Sequence, residues 1–303
     1  MVLRSFAAQD PGSWSHVIRQ AETFDRAGVD RLAVSDHVVF GENLDAYRRP
    51  EIGGQAGGTQ PTGPDGHWLE PITLLSLLAG RTSRIRLATN VLIAALRRPV
   101  VLAKSAATLD VLSGGRLDLG VGVGWQREEY EAAGVDFDRR GEALDDTLAI
   151  CHALWSQMRA DFTSPTLRFQ RIHMMPKPMQ AGGVPIWVSG SVNPRVARRL
   201  ARYGARWIPW LGPAADLAAE VARMREALDR AGGDPASLQV VGNLPAVSDE
   251  HGRLDIAGTV AGVPGIIAAG ATDARLTLRV PDDPVQHFDQ VSAVVTAFRA
   301  VTG

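Results

Sequence analysis

Short apolar runs alternate along the chain with longer stretches whose apolar positions recur about every three to four residues, the marks of buried strands and amphipathic helices. Strands are expected at Val2–Phe6, Leu32–Ser35, Ile85–Val91, Arg116–Val121, Val184–Val188, Ala205–Ile208, Leu238–Val241 and Arg275–Leu278. Helices are expected at Ser13–Ala27, Pro71–Ala79, Pro99–Leu112, Glu142–Trp155, Pro194–Tyr203, Ala214–Ala231 and Pro284–Ala300. Local signals agree with these bounds. Ser13 is a good N-cap residue, Gly28 suits the left-handed residue after a helix, and prolines open several helices. Regular strand–helix alternation implies a parallel sheet with helices packed outside it. Eight strand candidates make an α/β fold of the (β/α)8 TIM-barrel type the leading expectation, with a doubly wound sheet second.

Two stretches break the rhythm and read as insertions after the second and fourth strands. Residues 36–70 are rich in glycine, proline and polar side chains, and residues 156–183 carry Met175-Pro176-Lys177-Pro178. Long connections in compact domains tend to be functional, and in a barrel the loops that follow strands form the face where sites are built. Residues 36–70 are therefore expected to wall the site, and 156–183 to help shape its pocket. At 303 residues the chain has the length of two average domains, yet also that of one barrel, and it is read as a single domain over 1–303.

Composition narrows the function. With 32 basic and 33 acidic side chains the net charge is -1, which gives no support to nucleic-acid binding. A lone cysteine, Cys151, excludes an intramolecular disulfide framework and a thiolate zinc cluster. The scattered histidines form no metal-ligand pattern, so no metal is expected. No apolar run has the length of a membrane span, and the opening MVLRSFAAQD lacks the apolar core of a secretory signal. A cytoplasmic protein with no membrane partner is expected.

The candidate chemistry lies at strand ends. Asp36-His37 follows the second strand, where a histidine can act as acid, base or hydrogen-bond donor near neutral pH, or be merely structural. Asn90-Val91 closes the third strand, at a point that could hold a ring against the barrel. Gly120-Val121-Gly122-Val123-Gly124-Trp125 fails the dinucleotide fingerprint because Trp125 replaces its last glycine. Its glycines suit either close approach of a flat ligand or the taper of a barrel. Ser189-Gly190-Ser191-Val192-Asn193-Pro194-Arg195 opens a helix. It reads as an anion site, as N-capping by Ser191 or Asn193, or as both. Arg198 and Arg199 read as a solvated helix face.

Taken together, Ala21–Gly28 leading to Ser35-Asp36-His37, then Ile85–Leu92, Leu112–Trp125 with Arg127-Glu128-Glu129-Tyr130, Ile186–Ser191 and Arg202–Trp207 resemble the luciferase-like monooxygenase superfamily. Within it they resemble the branch that uses the deazaflavin coenzyme F420. The resemblance covers roughly residues 15–210. It implies a (β/α)8 barrel holding a flavin-type ring at the C-terminal ends of the strands. It places Asp36 and His37 beside that ring as the catalytic pair, with Asp36 orienting the histidine or touching cofactor. It also implies a cis peptide at Asn90–Val91 behind the ring, a cofactor lining from Val123 and Gly124, and a phosphate site at Ser189, Gly190 and Ser191. Sugar-phosphate dehydrogenases of this branch carry a catalytic glutamate where this chain has Trp125, which disfavours such a substrate. Arg97-Arg98 could meet an acidic cofactor tail or be solvated. The expectation is a hydride-transferring oxidoreductase acting with F420 on a small organic substrate, and a homodimer. The rivals are an FMN-dependent monooxygenase on the same barrel and a flavin-binding barrel without turnover.

Overall fold

Seven parallel strands form the central sheet, and each lies beside its neighbour in sequence. They are β1 (Arg31–Val34), β2 (Arg86–Thr89), β3 (Leu117–Val121), β4 (Ile186–Gly190), β5 (Arg206–Pro209), β6 (Gln239–Asn243) and β7 (Asp273–Arg275). Pairings such as Ala33↔Ala88, Gly120↔Trp187 and Val188↔Trp207 fix the register. The computed structural model describes residues 1–303 apart from Ala56, Pro213 and Ala214. The expected first strand departs from expectation. Val2 makes only an isolated bridge to Ala33, and its N–H donates to the Leu276 carbonyl at 2.9 Å, so residues 1–3 contact both edges of the sheet. The chain then turns away, because Phe6–Ala7 pairs antiparallel with His67–Trp68 and Phe6 stacks on Trp68 at 4.2 Å.

The helices are α1 (Ser15–Ala27), α2 (Pro71–Ala79), α3 (Pro99–Leu112), α4 (Arg127–Ala132), α5 (Arg140–Ser156), α6 (Pro194–Tyr203), α7 (Leu217–Arg230), α8 (Ile256–Val260), α9 (Val263–Ala268) and α10 (Pro284–Thr302). As expected, Gly28 ends α1 in the left-handed conformation, at φ +86°. The helix begins after Trp14 rather than Ser13, without a side-chain cap. Asp216 caps α7, and the expected start at Ala214 lies outside the described residues. None of the helices among the described residues is long and apolar enough to cross a membrane.

The main core forms where the outward side chains of the strands, such as Leu32, Leu87 and Leu119, meet the helices. Inside the sheet small residues, Ala33, Ala88 and Gly120, stand beside large ones such as Trp187 and Ile208. A β-carbon on Gly120 would collide with the Thr89 carbonyl, so this glycine serves strand packing rather than ligand approach. Toward the N-terminal ends of the strands, Arg31 bridges Asp118 (2.8 Å) and Asp273 (2.6 Å), and Arg86 shares Asp118 at 2.7 Å.

Topology corrects one expectation. Residues 156–183 follow α5 and enter β4 at its N-terminal end, so they lie at the rim away from strand C-termini. Their hairpin, Ala160–Thr163 with Arg168–Ile172, is largely exposed. Gln180 is fastened to Asp110, Arg86 and the Leu117 carbonyl at the start of β3.

Asp25 anchors the turn into β2. Its carboxylate accepts from the N–H groups of Ser83, Arg84 and Ile85 and from the Ser83 hydroxyl. Burial pushes its pKa up, but these bonds together outweigh it and hold the group below the usual carboxylate value. Stability from Asp25 is therefore present above the unfolded-state pKa and lost as pH falls through the lower folded value. Asp25→Ala, which strands three N–H groups, is expected to cost about 2–4 kcal/mol at neutral pH and progressively less in acid, read by urea unfolding across pH.

Candidate functional site

A cavity of about 740 Å³ opens at the C-terminal ends of the strands. All the expected site residues line it: Asp36 and His37 after β1, Asn90 and Val91 after β2, Val123 and Gly124 after β3, and Ser189, Gly190 and Ser191 at the end of β4. The Asn90–Val91 peptide is cis. No residue of 156–183 lines the cavity, which overturns the expectation that this insertion shapes it. Residues 36–70 do supply a wall, through Tyr47, Pro50, Gly53, Gln60, Pro61 and Trp68.

That wall is stitched to the barrel. Gln126 exchanges two hydrogen bonds with the Gly41 backbone, at 3.1 and 3.0 Å. Trp210 donates to the Gly54 carbonyl, and the Gln55 amide donates to the Leu211 carbonyl. Gly53, at φ +100°, passes so near Gly124 that a β-carbon would sit 2.6 Å from the Gly124 carbonyl oxygen. Gly53→Ala is expected to lift this wall. Hydrogen exchange over residues 44–60 should rise while global unfolding changes by about 1–2 kcal/mol.

His37 sits in an aromatic niche of Phe40, Trp68 and Trp125, with ring centroids 4.3, 4.9 and 5.9 Å away. Its Nδ1 is 3.2 Å from Oε2 of Glu129, a fully buried carboxylate whose other oxygen accepts the Val38 N–H at 2.6 Å. The Gln60 amide nitrogen lies 3.5 Å from Nε2. Asp36 does not orient the imidazole. Its carboxylate accepts the Ile93 N–H at 2.8 Å and a bidentate pair of bonds from Arg97, at 2.5 and 2.9 Å. Burial pushes the Asp36 carboxyl above its usual pKa, with Arg97 and the Ile93 N–H pulling the other way. Arg97, expected either at an acidic cofactor tail or in solvent, is instead held between Asp36 and Glu70. Arg199 is likewise no solvated charge: it is 4% exposed and paired with Asp145 at 2.6 Å. Glu129 is the residue that sequence reasoning missed.

At the other end of the cavity, Asn193 caps α6 by accepting from the N–H groups of Arg195 and Val196, so these two donors are already used. The Ser189 and Ser191 hydroxyls make no hydrogen bond to the protein among the described residues, and Arg140, Arg195 and Arg198 line the same end. Two residues of the cavity wall carry buried donors without partners among the described residues, Nε1 of Trp125 in the His37 niche and Nε of Arg140. A β-carbon on Gly122 would press on the Val91 side chain, so this glycine lets Val91 pack close against the end of β3. The cavity thus has an aromatic part with the Gly124 backbone, suited to a flat ring, and a cationic part suited to an anionic tail.

The sequence profile of the luciferase-like monooxygenase family matches residues 2–252. The chain belongs to this family. Over 215 residues it is 34% identical to the phthiodiolone/phenolphthiodiolone dimycocerosates ketoreductase of Mycobacterium kansasii, covering 70% of this chain and 57% of that protein. The chain spans about half the length of the curated relatives it matches. Among solved structures, monooxygenase RslO1 of Streptomyces bottropensis superposes with a TM-score of 0.74 at 19% identity over 99% of both chains. An F420-dependent secondary alcohol dehydrogenase, solved with an F420–acetone adduct, gives 0.62 at 17% identity, covering 99% of this chain and 88% of the other. The FMN-bound oxygenating constituent of 3,6-diketocamphane monooxygenase from Pseudomonas putida gives 0.66 at 15% identity, covering 95% and 94%. At these identities the structural likenesses establish the fold and leave the cofactor open.

Proposed function

We propose that this chain is an F420-dependent oxidoreductase that moves a hydride between the deazaflavin and a small carbonyl compound or its alcohol. The carrying observation is His37, held by Glu129 on the cavity wall beside Trp125 and Asn90. The names of the ketoreductase relative and the alcohol dehydrogenase neighbour support the substrate class. In this reading the seven strands and residues 1–3 together make the (β/α)8 barrel. The rest of the chain completes a single domain through α10, which packs on α1 and α8.

Val123, Gly124, Asn90 and Val91 would hold the ring, and Ser189, Gly190, Ser191 and the nearby arginines would hold its phosphate-bearing tail. When bound, the deazaflavin supplies the ring carbon that takes up or releases the hydride. The protein's own residues manage the proton. Glu129 accepts from Nδ1, which leaves Nε2 to take the hydroxyl proton as an alcohol is oxidised, or to return it as a carbonyl is reduced. Trp68 and Trp125 on the cavity wall, backed by Phe40, would exclude water and hold the substrate carbon near the ring. Asp36, locked by Arg97, keeps the 93–97 segment in place and sets the backbone that carries His37.

The test is binding of the purified chain to oxidised F420 and, separately, to FMN, followed by fluorescence. Tight F420 binding with weak FMN binding, and F420-linked oxidation of a secondary alcohol panel, are the expected results. Preferential FMN binding with oxygen consumption would replace this reading with the monooxygenase one.

A further inference from the structure

A second cavity, of about 620 Å³, lies beyond Asn90 and Ile208, the two residues it shares with the first. It passes Ala33, Ala88 and Trp187 inside the sheet and reaches the helices α8, α9 and α10. Val260, Val263, Ile266, Val294 and Phe298 give it an apolar wall. Its volume is in the range of small-molecule sites.

The polar groups on this cavity do not balance. Arg31 is paired with Asp273 at 2.6 Å, and Asp30 with Arg299 at 2.5 Å. Arg275, partly buried on the wall, has no carboxylate within 4.0 Å among the described residues. Among the described residues its guanidinium makes one hydrogen bond, a long one, from Nη1 to Oδ1 of Asn90 at 3.4 Å. Burial lowers its pKa, with no acid offsetting it, yet a guanidinium keeps its charge. Trp187, another residue of the wall, has its Nε1 buried without an acceptor among the described residues. On a largely apolar wall whose two carboxylates are already paired, Arg275 is therefore left as a spare positive charge without an anion, a costly arrangement for a group largely out of water.

We propose that this second cavity is a binding site for an apolar monocarboxylate, its head on Arg275 and its hydrocarbon body among α8, α9 and α10. One negative charge neutralises Arg275, whereas a phosphate dianion would overcompensate it. The apolar wall calls for a body without further polar groups. This site adjoins the first cavity at Asn90 and Ile208, and its argument does not depend on the cofactor reading.

Dodecanoate serves as the probe, titrated calorimetrically into the full chain below its micelle concentration, with dodecanol as the uncharged control. Saturable dodecanoate binding is expected, weakened about tenfold or more both by Arg275→Met and by exchanging the acid for the alcohol. Val263→Trp, which fills the chamber and leaves Arg275 in place, is expected to abolish binding. Cofactor bound in the first cavity should not compete. Absence of saturable binding, equal affinity for acid and alcohol, or displacement by cofactor would each overturn the proposal. If Arg275→Met does not fold, the acid–alcohol comparison and Val263→Trp decide the matter.

Discussion

His37→Ala is expected to lower kcat by about 10²- to 10⁴-fold, the usual worth of a positioned acid–base group, while the cofactor dissociation constant changes only a few-fold. The imidazole faces the cavity and its removal leaves the glycine-lined wall and the serine hydroxyls untouched. Added imidazole should restore part of the turnover. Glu129 acts through His37 and is a positioning residue. Both its oxygens are acceptors in use, one for Nδ1 and one for the Val38 N–H. A glutamine can accept the Val38 N–H but can meet Nδ1 only as a donor, which forces the tautomer with its proton on Nε2, so Glu129→Gln should lower kcat by about 10- to 100-fold and cost about 1–3 kcal/mol of stability. Glu129→Asp, which keeps two acceptors on a shorter stem, should recover stability more than turnover. Single-turnover kinetics with cofactor bound, beside urea unfolding of each variant, separate the two effects. Unchanged single-turnover rates in a folded His37→Ala protein would remove His37 from the chemistry.

Arg97→Ala is expected to have the largest effect on stability, about 3–5 kcal/mol at neutral pH. It removes two hydrogen bonds from Asp36, whose side chain has no solvent exposure, and leaves a buried carboxylate with only the Ile93 N–H. Burial already pushes the Asp36 pKa up, and losing the guanidinium removes the main force pulling it down. The variant can relieve its strain by taking up a proton. Its deficit should therefore be largest near pH 7 and shrink as pH falls, because a neutral carboxyl needs no cation. Asp36→Asn in the Arg97→Ala background should recover stability in the same way at neutral pH. Arg97→Lys keeps the charge but loses the bidentate fork and should sit between the two. A pH-independent loss would mean that packing around Arg97, and not the charge of Asp36, dominates.

Much of the architecture was legible because strand–helix alternation is a local signal with one common solution. The strand bounds slipped mainly at the margins of the sheet, at Val2–Phe6 and Arg275–Leu278, where pairing depends on distant partners. That the expected site residues would share one cavity could be read because each lies at or just after the end of a strand, and parallel strands bring their C-terminal ends to one face. Partnerships were not legible. Asp36 precedes His37 directly, yet alternation turns neighbours in opposite directions, so the aspartate meets Arg97 and the histidine meets a residue 92 positions on. Glu128 and Glu129 are adjacent in one short helix, and only packing shows which is buried. The signal that could have picked out Glu129 is its place just after the β3 turn, beside buried Tyr130, whose hydroxyl donates to the Val123 carbonyl at 2.6 Å. The role given to 156–183 failed for a topological reason: a loop that precedes a strand reaches the wrong end of it.

The fastening of residues 36–70 has an evolutionary consequence. Gln126, Glu129, Trp210 and Gln55 grip this segment or the barrel through main-chain atoms of Val38, Gly41, Gly54 and Leu211. A grip on the main chain is indifferent to which side chains hang from it. Tyr47, Pro50 and Pro61 can therefore be exchanged, and the range of molecules accepted redrawn, without touching the proton-handling pair. Divergence within such a lineage would accumulate at those positions, and directed selection for new substrates would do best to begin there.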